Sequence, residues 1–158
     1  MQQSGIHVAF CAGTGALVFL DLVAQLLVLN TFKHDGKPLP EEIESFYQPE
    51  FKFILYVAFQ DRKQSIGLDL IEALEKVNEK LGLNNFKVIV RLSDPDKGEE
   101  KKPRWTPNYI EKELSQYEGK LRKVWVCGPP AVNEMFDKTF NQELLTRLQL
   151  EKHQVDIM

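Results

Sequence analysis

The chain has 158 residues, a formal net charge of -3, 43% hydrophobic residues and 27% charged ones. That is one domain's worth with enough apolar content for a normal core. The mild acidity argues against nucleic acid or anionic lipid as a partner, and the one basic cluster, Lys101-Lys102-Pro103-Arg104, is offset by Asp94, Asp96, Glu99 and Glu100.

In chain order, Ile6–Phe10 is a β-branched and apolar run that stops at Gly13-Thr14-Gly15 and is followed by a second apolar run, Ala16–Phe32. This reads as strand, tight turn and helix, the opening of a dinucleotide-binding half-domain. Glycines there let the backbone turn and approach a pyrophosphate, whose charge meets free amides at the helix start. Ala16–Phe32 falls short of the ~20 residues that cross a bilayer. Asp21 and Gln25 lie one turn apart on one of its faces, so a helix buried on most sides of a soluble domain is expected, without membrane insertion.

Residues 33–50 hold Gly36, Pro38, Pro40 and Pro49 with the acidic piece Glu41–Glu44, and read as a surface excursion, or else a lid or docking element. Phe51–Phe59 is nearly continuous in apolar character, a strand buried on both faces. Gln60–Gln64 is a polar turn, Ser65 a candidate cap, and Leu70, Leu74, Val77 and Leu81 a helical stripe, with Glu72 and Lys76 paired outside and Gly82 as the stop. Phe86–Leu92 alternates in part and suits a sheet edge. Residues 93–104 form a charged surface loop. Thr106-Pro107 opens a helix to about Glu118, with Ile110, Leu114 and Tyr117 inward. Val124–Cys127 is a fourth strand, and Pro130 opens a helix facing inward through Val132, Met135, Phe136 and Phe140. Asn141 caps a short helix, and Val155–Ile157 closes as a fifth strand.

Alternating strands and helices imply right-handed crossovers, hence one α/β domain over 1–158: a doubly wound, mostly parallel five-stranded sheet with helices on both faces. Ligands bind such sheets outside the carboxyl ends of the strands, where strand order reverses. If the first and fourth strands are neighbours, Gly13–Gly15 and Cys127–Pro130 face one crevice. The two cysteines, Cys11 and Cys127, make neither a disulfide framework nor a metal site. Reduced thiols near strand ends point to a cytoplasmic or cytosol-facing, reducing compartment. His7, His34 and His153 have no ligand-like spacing and read as structural or exposed.

Cys127-Gly128-Pro129-Pro130 after one strand, with Gly13-Thr14-Gly15 after another, resembles the pyridine-nucleotide half of the ferredoxin–NADP reductase superfamily, which includes cytochrome b5 reductases and the ferric-reductase and NADPH-oxidase type enzymes. The resemblance spans nearly the whole chain. It implies that this half binds NADH or NADPH while a separate antiparallel barrel holds FAD, and that hydride passes from nicotinamide to flavin. By position it implies that Gly13, Thr14 and Gly15 contact the pyrophosphate and nicotinamide side. Cys127 would then lie beside the nicotinamide, with Gly128 and Pro129 shaping its pocket.

In the turn after the second strand, Gln60, Asp61 and Arg62 compete for a nucleotide contact. Asp94, after Ser93, favours NADH, because a carboxylate accepts from ribose hydroxyls and repels a 2′-phosphate. The flavin domain of that family would need roughly 100 residues before Ile6. The chain is therefore expected to be the C-terminal part of a larger flavin-dependent reductase, inactive in isolation. The family pattern usually has proline at the place of Val18 and methionine at the place of Val132. These departures motivate an alternative, a degenerate nucleotide-binding or regulatory module without redox turnover.

Overall fold

The computed structural model describes residues 5–38, 51–94 and 105–158. Five strands, β1 (Ile6–Ala12), β2 (Lys52–Phe59), β3 (Phe86–Leu92), β4 (Leu121–Cys127) and β5 (Val155–Ile157), form one sheet in the order β3-β2-β1-β4-β5. Every pairing is parallel. The chain moves outward from β1 to β3, then returns to the other side of β1 as β4. Strand order thus reverses between β1 and β4, and the expected doubly wound architecture holds.

Helices cover both faces. On one, α1 (Leu20–His34) and α2 (Leu68–Lys80) bury Val23, Leu26, Leu68, Ile71 and Leu74 against Ala9, Phe53, Leu55 and Val57. On the other, α3 (Pro107–Ser115), α4 (Pro130–Thr139) and α5 (Gln142–Arg147) place Ile110, Leu114, Phe136, Leu144 and Leu145 over Val8, Phe10, Ile54, Tyr56, Val124 and Val126. The sheet's alternation therefore serves two apolar layers, which is why β1 and β2 read as unbroken hydrophobic runs. β3 lies at the edge, as its partial alternation suggests, and the Glu75 carboxylate accepts from Val88 N (2.9 Å).

Six readings of the sequence are corrected by the structure. Between β1 and α1 the chain forms a 3-10 helix, Gly13–Phe19, so the α-helix begins later than the apolar run. Together the two span 22 residues, long and apolar enough to cross a membrane by length and composition, and the length argument against a span therefore fails. Nor is this helix buried on most sides. Leu17, Val18, Val28 and Phe32 are exposed along with Asp21 and Gln25, while Val23, Leu26 and Asn30 face in.

The α2 stripe is also rotated from expectation. Gly67 (φ 80°) and not Ser65 precedes the helix, Ile71 takes the buried place assigned to Leu70, and Leu70 is exposed. Glu72 pairs with Arg62 (3.0 Å), outside its own helix, instead of with Lys76. The acidic piece 41–44 and the loop 95–104 lie outside the described residues.

At the amino end of the sheet a polar cluster ties α1, α2 and β3 together. Asn30 Nδ2 donates to Asn78 Oδ1 (2.5 Å) and Asn85 Oδ1 (3.2 Å). Asn85 returns a bond to Asn30 Oδ1 (3.0 Å), and Asn78 Nδ2 donates to Phe86 O (3.4 Å). Asn30 and Asn78 are buried, so these bonds replace the water that the amides would otherwise require. Near them His7 is enclosed by the rings of Phe51 and Trp125, a structural position, whereas His34 and His153 are exposed.

Candidate nucleotide site

The carboxyl ends of β1 and β4 meet at the reversal point. Cys11 and Cys127 are register partners, and the chain leaves β1 into Gly13-Thr14-Gly15 and β4 into Gly128-Pro129-Pro130. Gly13 and Gly15 are needed for different reasons. Gly13 has φ 57°, and a Cβ there would meet nothing within 4 Å, so backbone conformation alone selects glycine. Gly15 has no such dihedral, but a Cβ there would fall 2.1 Å from Cys127 O and 2.7 Å from its carbonyl carbon. The close approach expected of these glycines is thus made first to the other turn. A Cβ on Gly128 would in turn lie 3.2 Å from Ala12 Cβ and 3.3 Å from Val132 Cγ1. The two bends are packed backbone to backbone, and Gly15 and Gly128 set how closely they sit.

Two helix starts open beside this junction. The 3-10 helix from Gly13 follows extended Ala12, and α4 follows Pro129; neither has a side-chain cap or an acidic residue in its first turn. By contrast, α3 is capped by Thr106 Oγ1, which accepts from Tyr109 N, and α5 by Asn141 Oδ1, which accepts from Leu144 N. The first amides of a helix have no partner within it, and their end of the dipole is positive. At α4, Pro129 and Pro130 carry no N–H and Val132 N already bonds Pro129 O (2.8 Å), so what the reversal point offers a bound diphosphate is two helix starts without a side-chain cap.

Cys11 is fully buried and Cys127 half-buried, and both pack on the α1/α2 face. Burial pushes the Cys11 thiol well above its usual range, and the neighbouring Cys127 raises it further. Thr14 is exposed at the turn and Pro129 at the start of α4.

On the other side of β1, the turn after β2 and the end of β3 are joined by backbone bonds from Ser93 N to Phe59 O (3.0 Å) and Asp94 N to Gln60 O (2.7 Å). The structure thus brings Gln60 and Asp94 together, both exposed. Asp61 and Arg62 are engaged locally. The Asp61 carboxylate accepts from Gln64 N (2.9 Å) and Gln64 Nε2 (2.8 Å), and Arg62 holds Glu72. Three residues before Asp94 in the chain, the Arg91 guanidinium lies over the Tyr109 ring at 4.1 Å, a pairing the sequence reading missed.

The candidate residues are therefore one ledge along a single sheet edge, running from Asp94 through Gln60 and Gly13–Gly15 to Cys127–Pro129. Leu17 and Val18 stand exposed a few residues beyond it, as does Ile66 in the loop whose Gly67 packs on Leu20. Among the described residues no cluster of His, Cys, Asp and Glu could hold a metal ion. Two open grooves lie elsewhere: one of about 610 Å³ between α3, α4 and α5, the other of about 670 Å³ near His7, Lys123 and Gln154.

No family model and no curated protein matches the sequence. Solved structures do match the fold. The cytochrome b5 reductase domain of Ulva prolifera nitrate reductase superposes with a TM-score of 0.63 at 16% identity, over 98% of this chain and 49% of that one. The CS-b5R domains of human Ncb5or, in an NAD+ form, give 0.68 at 19%, over 99% and 37%. Ferredoxin-NADP+ reductase from Plasmodium falciparum with 2'P-AMP gives 0.56 at 13%, over 98% and 52%. The chain spans about half or less of the length of these structures. Over that length it has the fold of cytochrome b5 reductases and ferredoxin-NADP+ reductases, the fold that the Gly13–Gly15 and Cys127–Pro130 turns imply.

Proposed function

We propose that the chain binds NADH or NADPH along the ledge and serves as the nucleotide half of a flavin-dependent reductase, with FAD held by another domain of the same parent chain. The observation that carries this is the contact of Gly15 with Cys127 O, which joins two uncapped helix starts across one strand boundary. Gly13, Thr14 and Gly15 receive the pyrophosphate, Cys127 lines the nicotinamide, and Gly128 and Pro129 bound its pocket. Gln60 and Asp94 face the adenosine ribose, while Asp61 and Arg62 hold that turn in place. From β3 to β4 is three strand spacings, about 14 Å, which matches an extended dinucleotide centred on the turn after β1. The negative Asp94 at the ribose end favours NADH over NADPH.

Bound nicotinamide would supply a hydride to a flavin; the chain's own part is to grip, orient and shield. Exposed Leu17, Val18 and Ile66 beside the ledge support a flavin domain seated there, since apolar side chains at the rim of a site gain by being covered. Free cysteines at the site fit a reducing, cytosol-facing compartment.

Titrating the chain with NADH and NADPH while following backbone amide shifts tests the reading. Shifts at Gly13–Gly15 and around Cys127, larger for NADH at equal concentration, are expected. Silence at both turns up to millimolar nucleotide would leave a fold without the binding function.

A further inference from the structure

We infer that Cys127 and Cys11 form an oxidisable pair, a thiol modification site in which Cys127 reacts with a peroxide and Cys11 resolves it to an intrachain disulfide. The geometry comes from the sheet. The two residues are register partners on adjacent parallel strands, and both side chains lie on the face packed by α1 and α2. Register partners on neighbouring strands stand about 4.8 Å apart, inside the span of about 4.4–6.8 Å between Cα atoms that a disulfide bridges. No backbone crossing or loop rearrangement separates the two sulfurs, and both are free.

Their surroundings assign the order of events. Cys127 is half-buried at the mouth of the crevice, whereas Cys11 is fully enclosed by the core. Peroxide in solution thus reaches Cys127 first. Its thiolate attacks one peroxide oxygen, the O–O bond breaks, water leaves, and Cys127 becomes a sulfenic acid. Cys11 sulfur then attacks the sulfenic sulfur; the S–S bond forms, the S–O bond breaks, and the hydroxyl leaves as water with the Cys11 proton. Two thiols and one hydrogen peroxide give one disulfide and two waters, the sulfurs losing the two electrons that the peroxide gains. Enclosure in the core keeps peroxide from Cys11, which leaves it the resolving role, and as its sulfur attacks, its proton passes to the departing hydroxyl.

In parallel strands the two Cβ atoms stay near the strand spacing, wider than the roughly 3.8 Å a relaxed disulfide prefers. The bond is accordingly strained and easily reduced, the property of a reversible modification and not of a structural crosslink. It also removes the thiol from the place assigned above to the nicotinamide. This consequence for binding rests on that assignment; formation of the bond does not.

The test treats the reduced chain with submillimolar hydrogen peroxide and follows intact mass and peptide mapping. Expected are a loss of two hydrogens, a Cys11–Cys127 linked peptide, disappearance of both thiols together, and full reversal by dithiothreitol. Cys11→Ala, checked for folding by circular dichroism, should stop at a Cys127 sulfenic acid that dimedone traps. Oxidation of Cys127 to sulfinic acid in the unaltered chain while Cys11 stays reduced would overturn the pairing, as would disulfides found only between chains. Bound NADH should slow thiol loss several-fold. A disulfide that forms at the same rate with saturating NADH, shown bound by amide shifts elsewhere, would sustain the pair and refute the nicotinamide placement.

Discussion

At the amino end of the sheet, Asn30, Asn78 and Asn85 fill the gap between α1, α2 and β3 with amides that bind one another and Phe86 O. At the carboxyl end, Gly13, Gly15 and Gly128 leave out side chains, so that two backbone bends touch and two helix starts stay uncapped. Both ends face the same problem, polar backbone emerging from an apolar layer. One end solves it with side chains and becomes a closed joint. The other end uses no side-chain cap at either helix start. The contrast teaches where this fold is built for stability and where, on the function proposed above, for a ligand, and substitutions at each end should separate the two.

The largest effect belongs to Gly15→Ala. Its methyl would lie 2.1 Å from Cys127 O, and backbone, not a flexible side chain, must give way. Overpacking of this kind should cost about 3 kcal/mol or more, measured by urea denaturation, and nucleotide shifts at both turns should vanish together. A chain of unchanged stability would mean that the bends are not in contact. Asn78→Leu makes the opposite case. It leaves the Asn30 amide and Phe86 O short of partners and should cost about 2 kcal/mol, yet nucleotide affinity should hold at temperatures where the chain is folded. Loss of binding there would erase the distinction between the two ends.

Gly13→Ala should cost less stability than either. The site has room for the methyl, so only the left-handed backbone opposes it, at about 1–2 kcal/mol. Because the strain bears on the turn proposed above to hold the pyrophosphate, affinity should drop more than for Asn78→Leu at a smaller cost in stability. Amide titration alongside denaturation distinguishes them.

How much of this was legible in the sequence differs by level. The strands were, because β-branched and apolar runs bounded by polar or glycine turns leave few alternatives; Phe86–Leu92 and Val155–Ile157 have the bounds their patterns predict. The neighbouring of β1 and β4 followed from the reversal that an α/β chain makes. The face of α2 was not legible. Starting at Gly67 and not at Ser65 turns which residues point inward, and the residue types at 70 and 71 are both apolar.

Nor was the exposure of Leu17, Val18, Val28 and Phe32, since hydrophobicity says that a residue gains by burial, not that this chain supplies the cover. The Asn30–Asn78–Asn85 cluster joins residues 48 and 55 positions apart with no signature but their amides. Cys11 and Cys127 were read together as making neither a disulfide framework nor a metal site; that they are register partners needs only the strand order and the register, which the turns beside them could have suggested. In the turn after β2, residue type could not decide whether Asp61 and Arg62 serve the chain or a ligand.

Arg62→Ala addresses that last ambiguity and carries the smallest expected effect. Arg62 meets Glu72 at 3.0 Å, with the arginine side chain 44% exposed. An ion pair so open to solvent is worth at most about 1 kcal/mol, and often nothing measurable. If Arg62 belongs to the closed, self-satisfied part of the molecule, its removal should shift the urea midpoint slightly and leave the NADH-to-NADPH preference unchanged. If instead it reaches the nucleotide, a guanidinium near the ribose end would favour the additional 2′-phosphate. Its loss would then weaken NADPH selectively, by more than the stability change accounts for. The boundary between scaffold and ligand surface would in that case run through the turn itself, with Asp94 and Arg62 opposing each other over one phosphate.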